Sequence, residues 1–294
     1  MEELERLKRR IKNARDLQSL VKLMKSISAS SIRGYEREVK ALEEYNKTIE
    51  MGFQIVMHSE AAKIQATRPA EGRAYLGAVI FGSDQGLCGN FNEQIASFAV
   101  DKMEEISHQK RRALAVGERV ISRLEERGQS IEVSFSFYGK HLGITEVMMD
   151  VLVKIEEWRL QGQIDQIVLF YNRPSLDMAF SPHMAYLFPL DIGWLRSLEE
   201  KKWESRILPT FFMDVDQLFS SLVRHYLFLS LYRAFIESLA SENASRLQSM
   251  QRAEKNLEEH LGELNMQFYR QRQAAIMSEL LDVVTGFEAL TSNR

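Results

Sequence analysis

At 294 residues, with 45% hydrophobic and 27% charged side chains, the chain can bury a sizeable core and has the balance of a soluble globular protein. A formal net charge of -3 gives no electrostatic basis for nucleic-acid binding. The single cysteine, Cys88, excludes an internal disulfide and suits a reducing compartment, and no apolar run reaches the roughly 18 to 20 residues that span a bilayer.

The N-terminus is charged from Glu2 onward and lacks an apolar h-region, so no secretory signal is expected. Glu2, Glu3 and Glu5 also argue against an Arg-rich transit peptide, in which acids are scarce. From about Glu3 to Ala62 nothing stops a helix. Leu4, Leu7, Ile11, Ala14, Leu17, Val21, Met24 and Ile27 step by threes and fours along one expected stripe, which Leu42, Ile49, Phe53 and Val56 extend. The 5 prolines all lie between Pro69 and Pro209, and all but four glycines (Gly34, Gly52, Gly262 and Gly286) lie between Gly72 and Gly193. Proline breaks helix interiors and glycine weakens them. Two helical arms therefore flank a turn-rich middle, which sets boundaries of 1–68, 69–209 and 210–294.

The middle alternates strand and helix. Strands are expected at Tyr75–Phe81, Ala113–Val116, Ile131–Tyr138, Ile164–Tyr171 and Met184–Pro189. Helices are expected at Asn92–Ile106, Glu118–Arg127 and Thr145–Leu160. That alternation implies a mostly parallel sheet with helices on both faces, a Rossmann-like α/β domain. The C-terminal arm starts near Asp214, a natural cap, with Asp216 in its first turn, and runs to about Leu290. At 1.5 Å per residue, roughly 75 residues make a rod of about 110 Å. Leu247, Met250, Leu257, Leu261, Leu264 and Phe268 form its seam, and the partner expected for it is the N-terminal arm, paired antiparallel in a coiled coil.

Chemistry is sparse. The sharpest motif follows the first strand, Phe81-Gly82-Ser83-Asp84-Gln85-Gly86-Leu87-Cys88-Gly89-Asn90-Phe91-Asn92. A glycine loop between strand and helix can cradle phosphate, and Gly86, Gly89 and the amides near Asn92 are in position for it. Yet there is neither a Gly-Lys-Ser/Thr nor a Gly-x-Gly-x-x-Gly. The alternative is a tight turn, with Gly86 and Gly89 at positive φ and Asn92 as N-cap, and it is favoured because no residues for nucleotide chemistry accompany the loop. The 6 histidines show no metal-ligand spacing. Cys88 has no neighbouring base and is expected to be a small buried side chain. The Glu43-Glu44, Glu125-Glu126, Glu156-Glu157 and Glu258-Glu259 pairs fit solvated helix faces better than acid/base machinery. Neither a catalytic residue, a metal site nor a cofactor site is assigned.

Taken together, these features resemble the γ-subunit family of F-type ATP synthases over essentially the whole chain. The resemblance is carried by Ser83-Asp84-x-Gly86-Leu87-Cys88-Gly89-x-Phe91-Asn92 and by Glu237-Ser238-x-Ala240-Ser241-Glu242-x-Ala244-x-Arg246. Arg272-Gln273-Ala274-Ala275-Ile276 adds to it, as does Arg9-Arg10-Ile11 with Gln18, Lys22, Met24, Ala29, Ser30 and Arg33. It implies a non-catalytic central-stalk rotor, coupling ion-driven rotation of a c-ring to ATP synthesis or hydrolysis at β subunits. The implied partners are an α3β3 hexamer, an ε subunit and the c-ring, and the implied place is the cytoplasmic face of a bacterial inner membrane, bound peripherally. It also puts Met24, Arg272, Gln273 and Glu279 in the hexamer bearing. The chain departs from the family pattern at Ser19, Ser26, Ser31, Gln85 and Met277, and Phe212-Met213 stands where a Glu-Pro is customary. A lone cysteine leaves no chloroplast-type dithiol pair. Two readings from other classes compete: a phosphate- or nucleotide-binding α/β protein using the Gly86/Gly89 loop, and a self-associating coiled-coil scaffold.

Overall fold

In the computed structural model the described residues are 2–58, 75–106, 110–137, 143–161, 164–175, 178–203 and 210–291. They divide into two compact units, residues 29–246 and residues 1–28 with 247–294.

The larger unit is built on a five-stranded sheet of order β3-β2-β1-β4-β5, formed by β1 (Tyr75–Phe81), β2 (Lys110–Val116), β3 (Val133–Phe135), β4 (Gln166–Arg173) and β5 (Ser181–Phe188). All pairings are parallel except β4 with β5. β1 lies at the centre, with Val79 opposite Leu114 on one side and Leu169 on the other, so its unbroken apolar run is buried on both faces. Leu76, Ala78 and Ile80 face α2 (Phe91–Glu105) and α3 (Glu118–Glu126) through Ile95, Ala99, Met103, Val120 and Leu124. Val79 and Phe81 point the other way. There they join α4 (Ile144–Leu160), the last part of α1 (Glu2–Met57), α5 (Ile192–Glu200) and the first part of α6 (Val215–Thr291). Phe53 of α1 anchors that side, its ring 5.7 Å from Trp194, 5.9 Å from Phe219 and 6.2 Å from Tyr226.

β3 is shorter than the expected Ile131–Tyr138, whose last residue lies outside the described residues. It is an edge strand, paired only with Leu114–Val116, so the alternation beyond that stretch has no ladder to join. α5 was not expected. Pro189 and Gly193 hide a helix that Asp191 starts by accepting a hydrogen bond from the Gly193 amide at 2.7 Å. Asp214 does cap α6, accepting from the Asp216 amide at 2.8 Å. The final residues of the expected N-terminal arm, 59–62, lie outside the described residues.

In the smaller unit the two arms pair antiparallel. Leu7, Ile11 and Ala14 cluster with Leu261, Leu264 and Phe268, and the Lys25 ammonium meets the Glu254 carboxylate at 2.6 Å. Ascending residues on α1 thus meet descending residues on α6. The expected stripe on α6 is right in phase, with Met250, Leu261 and Leu264 buried and Leu257 and Phe268 half-buried. The stripe on α1 is corrected. Leu17 and Ile27 are exposed, and Gln18, Lys25 and Ser28 are covered beside the expected Leu4, Leu7, Ile11, Ala14, Val21 and Met24.

Candidate functional site

The loop between β1 and α2 is held open-side down by side chains from far along the chain. The amide of Gly82 donates to the Val116 carbonyl at 2.8 Å. Asn92 accepts from the Ser83 amide at 2.9 Å and donates to the Ser83 hydroxyl at 2.8 Å. Asn92 is therefore not the N-cap of α2. Asn90 holds that position, without a side-chain capping bond, and the Asn92 amide is spent on the loop. Positive φ is likewise redistributed. Gly89 has φ 61° as a turn requires, but the second such residue is Leu87, at φ 63°, rather than Gly86.

The carbonyls of this loop point at α6. Arg246 donates to the carbonyl of Gln85 at 3.4 Å and to that of Gly86 at 3.3 Å. Ser245 donates to the Cys88 carbonyl at 2.6 Å. Arg246 is also paired with Glu242 at 2.5 Å, and both side chains are buried, 5% and 3% exposed. Next to them Ser241 donates to the Asn172 carbonyl at 3.0 Å, and Asn172 donates to the Phe91 carbonyl at 3.3 Å. One turn earlier Glu237 is held between Arg173 at 3.0 Å and Arg233 at 2.9 Å. Burial and the Glu237 charge push the Tyr171 phenol up to about 12, so it stays a neutral donor. Sequence reasoning singled out Glu242 and Arg246 only as part of a motif, and Ser245 fills one of its unspecified positions. Their work here is to satisfy a loop some 160 residues away, and local pattern carries no signal for that.

This geometry decides what the loop can do. Phosphate is held by converging N–H groups. Here the Gln85 and Gly86 carbonyls accept from the Arg246 guanidinium, and the Ser83 amide is taken by Asn92. The arrangement is an anchor for α6. Cys88 is buried beneath it, and burial pushes its thiol above the usual range, which disfavours the thiolate. Among the described residues no cluster of His, Cys, Asp and Glu could hold a metal ion, and no helix is long and apolar enough to cross a membrane. Equilibrium dialysis of the chain with ATP, ADP and NAD is expected to find no site tighter than the high-micromolar range, roughly -6 kcal/mol or weaker. A micromolar site that disappears on changing Gly86 or Gly89 would contradict the anchor assignment.

The four expected bearing residues do not form one cluster. Met24 is half-buried beside Lys25 and so lies at the level of Glu254. Arg272, Gln273 and Glu279 are exposed further along α6, Arg272 about 27 Å beyond Glu254 at helical rise. Around them the end of the helix bares apolar side chains: Ile276, Met277, Leu280, Leu281, Val283 and Val284 are all about half exposed or more. α1 bares a second set, Leu17, Leu20, Leu23 and Ile27.

The chain matches the family model described as ATP synthase over residues 3–290. It is 26% identical to the ATP synthase gamma chain of Nautilia profundicola, with 99% of each chain covered. Its fold is similar to a chain of the rotor of the Euglena gracilis mitochondrial ATP synthase, with a TM-score of 0.58 at 14% identity over 94% of this chain and 99% of that one. A chain of the Tetrahymena thermophila mitochondrial ATP synthase central stalk and c-ring gives a TM-score of 0.54 at 20% identity, over 80% of this chain and 99% of the other.

Proposed function

The chain belongs to the ATP synthase γ-chain family, and from that premise we propose that it turns as the central-stalk rotor, its paired arms forming the shaft that a ring of partner subunits grips. The observation that carries this reading is the bare apolar surface on both arms. A coiled coil that worked alone would turn leucines inward and charges outward. This one leaves Leu17, Leu20, Leu23 and Ile27 on α1, and Ile276 to Val284 on α6, without cover from the chain itself. Such surface needs a partner along its length.

The division of labour follows from the chemistry. The β1–α2 loop is engaged in anchoring α6, and ATP chemistry is assigned to partner subunits. This chain supplies a stiff element whose rotation favours one conformation of each partner over another, which is a coupling free energy carried between sites. The partners are the catalytic F1 sector and the c-ring. More finely, they are an α3β3 hexamer around the arms and an ε subunit beside the α/β unit on the c-ring. As in its bacterial relatives, the chain is peripheral to the membrane sector in this reading, at the cytoplasmic face of a bacterial inner membrane.

Met24, Arg272, Gln273 and Glu279 are the bearing contacts in this reading. Each charge-assisted contact that becomes buried in the hexamer contributes on the order of 1.5 to 3 kcal/mol. The double variant Arg272→Ala/Glu279→Ala is expected to assemble into the complex but to couple ATP hydrolysis to ion pumping less well. Unchanged torque and pumping in the purified complex would mean that the grip lies elsewhere on the arms.

A further inference from the structure

A cavity of about 790 Å³ opens within the larger unit, between the end of α4, the start of β4, the end of β5 and the first part of α6. None of its lining residues belongs to the glycine loop or to the side chains that anchor it. Ile164, Val223 and Leu227 line it as buried side chains, and Leu160 as one that is 88% exposed. One guanidinium stands out against this apolar lining. Arg159 lies over Phe188, 4.2 Å from the ring centroid. Among the described residues it has no hydrogen-bond or ion-pair partner, since Glu156 beside it is engaged by Arg224 at 3.1 Å. Burial lowers the pKa of Arg159, and only the Glu156 charge opposes that shift. A charge withdrawn from water in this way is ordinarily paired.

We propose that this cavity is a ligand site for a small amphiphile, an apolar body ending in one carboxylate, with Arg159 as the fork that holds the carboxylate. The volume lies in the usual range for small-molecule sites, and so does the make-up, an apolar lining with few polar groups. The headgroup follows from charge. The lining carries Arg159 and Arg224 against Glu156 and Asp165, and Arg224 is already paired. Asp165 accepts from the Tyr75 amide at 3.4 Å. Among the described lining residues one cationic fork is therefore open. The N–H groups of a guanidinium lie in its own plane and meet a carboxylate in pairs. A phosphate dianion or a nucleotide would instead face two carboxylates with one free cation. Ser220 and Ser221, exposed on α6, add hydroxyl donors. The apolar body rests on Leu160, Ile164, Val223 and Leu227. This site is independent of the rotor reading.

The test is equilibrium dialysis of the full chain with decanoate, kept below its micellar range. A single saturable site per chain is expected, with a Kd of about 100 µM, within the efficiency bounds of a ligand of this size. Arg159→Leu keeps an apolar side chain and removes the fork. It should weaken decanoate about tenfold or more, and leave the weaker binding of decan-1-ol unchanged. Arg159→Lys keeps the charge without the fork and should weaken decanoate about threefold, which carries the test should the leucine variant fold poorly. Ser220→Trp fills the cavity from an exposed helix position and should weaken the acid and the alcohol alike. Uptake that does not saturate, decanoate binding indifferent to Arg159, or decyl phosphate binding tighter than decanoate would each overturn the carboxylate site.

Discussion

Replacing Arg246 by methionine is expected to cost about 3 to 5 kcal/mol of stability, because it leaves the buried Glu242 carboxylate without its partner. The carbonyls of Gln85 and Gly86 lose their donor at the same time. The loss should depend on pH, and the direction can be worked out. Burial pushes the Glu242 carboxyl from 4.5 up to about 7, with Arg246 pulling the other way. A carboxyl with a higher pKa folded than unfolded supports the fold fully below its unfolded value, and that support fades as pH rises through the folded one. In wild type the window therefore runs from about 4.5 to about 7. Without Arg246 the folded pKa moves higher still, so the variant keeps losing stability above neutrality. Denaturant midpoints should thus differ less between wild type and Arg246→Met at pH 5, where only the lost carbonyl bonds count, than at pH 8. Arg246→Met/Glu242→Gln should recover much of the alkaline loss, since no buried charge remains. A deficit of equal size at both pH values would show that packing, and not the carboxylate, sets the cost.

The second large effect is expected in the arms. Leu261 is buried against the cluster of Leu7, Ile11, Ala14 and Leu264. Leu261→Asp would set an unpaired ion among them, costing several kcal/mol. Leu261→Met keeps volume and polarity and should cost less than about 1.5 kcal/mol. The Asp variant is expected to lose protease resistance in residues 2–28 and to recover little α and β on co-purification, with the Met variant close to wild type. Equal recovery for the two would place Leu261 outside the seam.

Where the sequence could be read and where it could not follows from the range of the forces involved. β1 is legible to the residue because a strand buried on both faces is an unbroken apolar run between turn residues. The arms are legible because nothing over fifty residues interrupts a helix. The phase of α1 is not, because the seam admits Gln18, Lys25 and Ser28 while Leu17 and Ile27 stay outside. Periodicity finds the widest apolar stripe, and here that stripe includes side chains that the chain itself leaves exposed. The loop was legible as a turn, but its carbonyl-lined interior depends on Arg246, and its outward Leu87 depends on a backbone angle that no residue type announces. The bearing residues come from resemblance alone, since exposed charges on a helix carry no pattern that separates contact from solvent.

The anchor between Arg246 and the glycine loop also orders events during synthesis. The loop follows the first strand, whereas its anchoring side chains leave the ribosome some 160 residues later. Phe53, on the first helix, waits equally long for Phe219. No early fragment of the α/β unit can close its core, because one wall of that core belongs to α6. Folding must then be largely post-translational and slow, as contacts of such long range dictate. Meanwhile Phe81 on β1, whose ring lies 5.6 Å from that of Phe235 on α6, is incompletely covered on a nascent chain already carrying an apolar arm. The chain should lean on holdase chaperones until α6 emerges, and truncation before residue 246 should yield aggregate instead of a smaller folded unit.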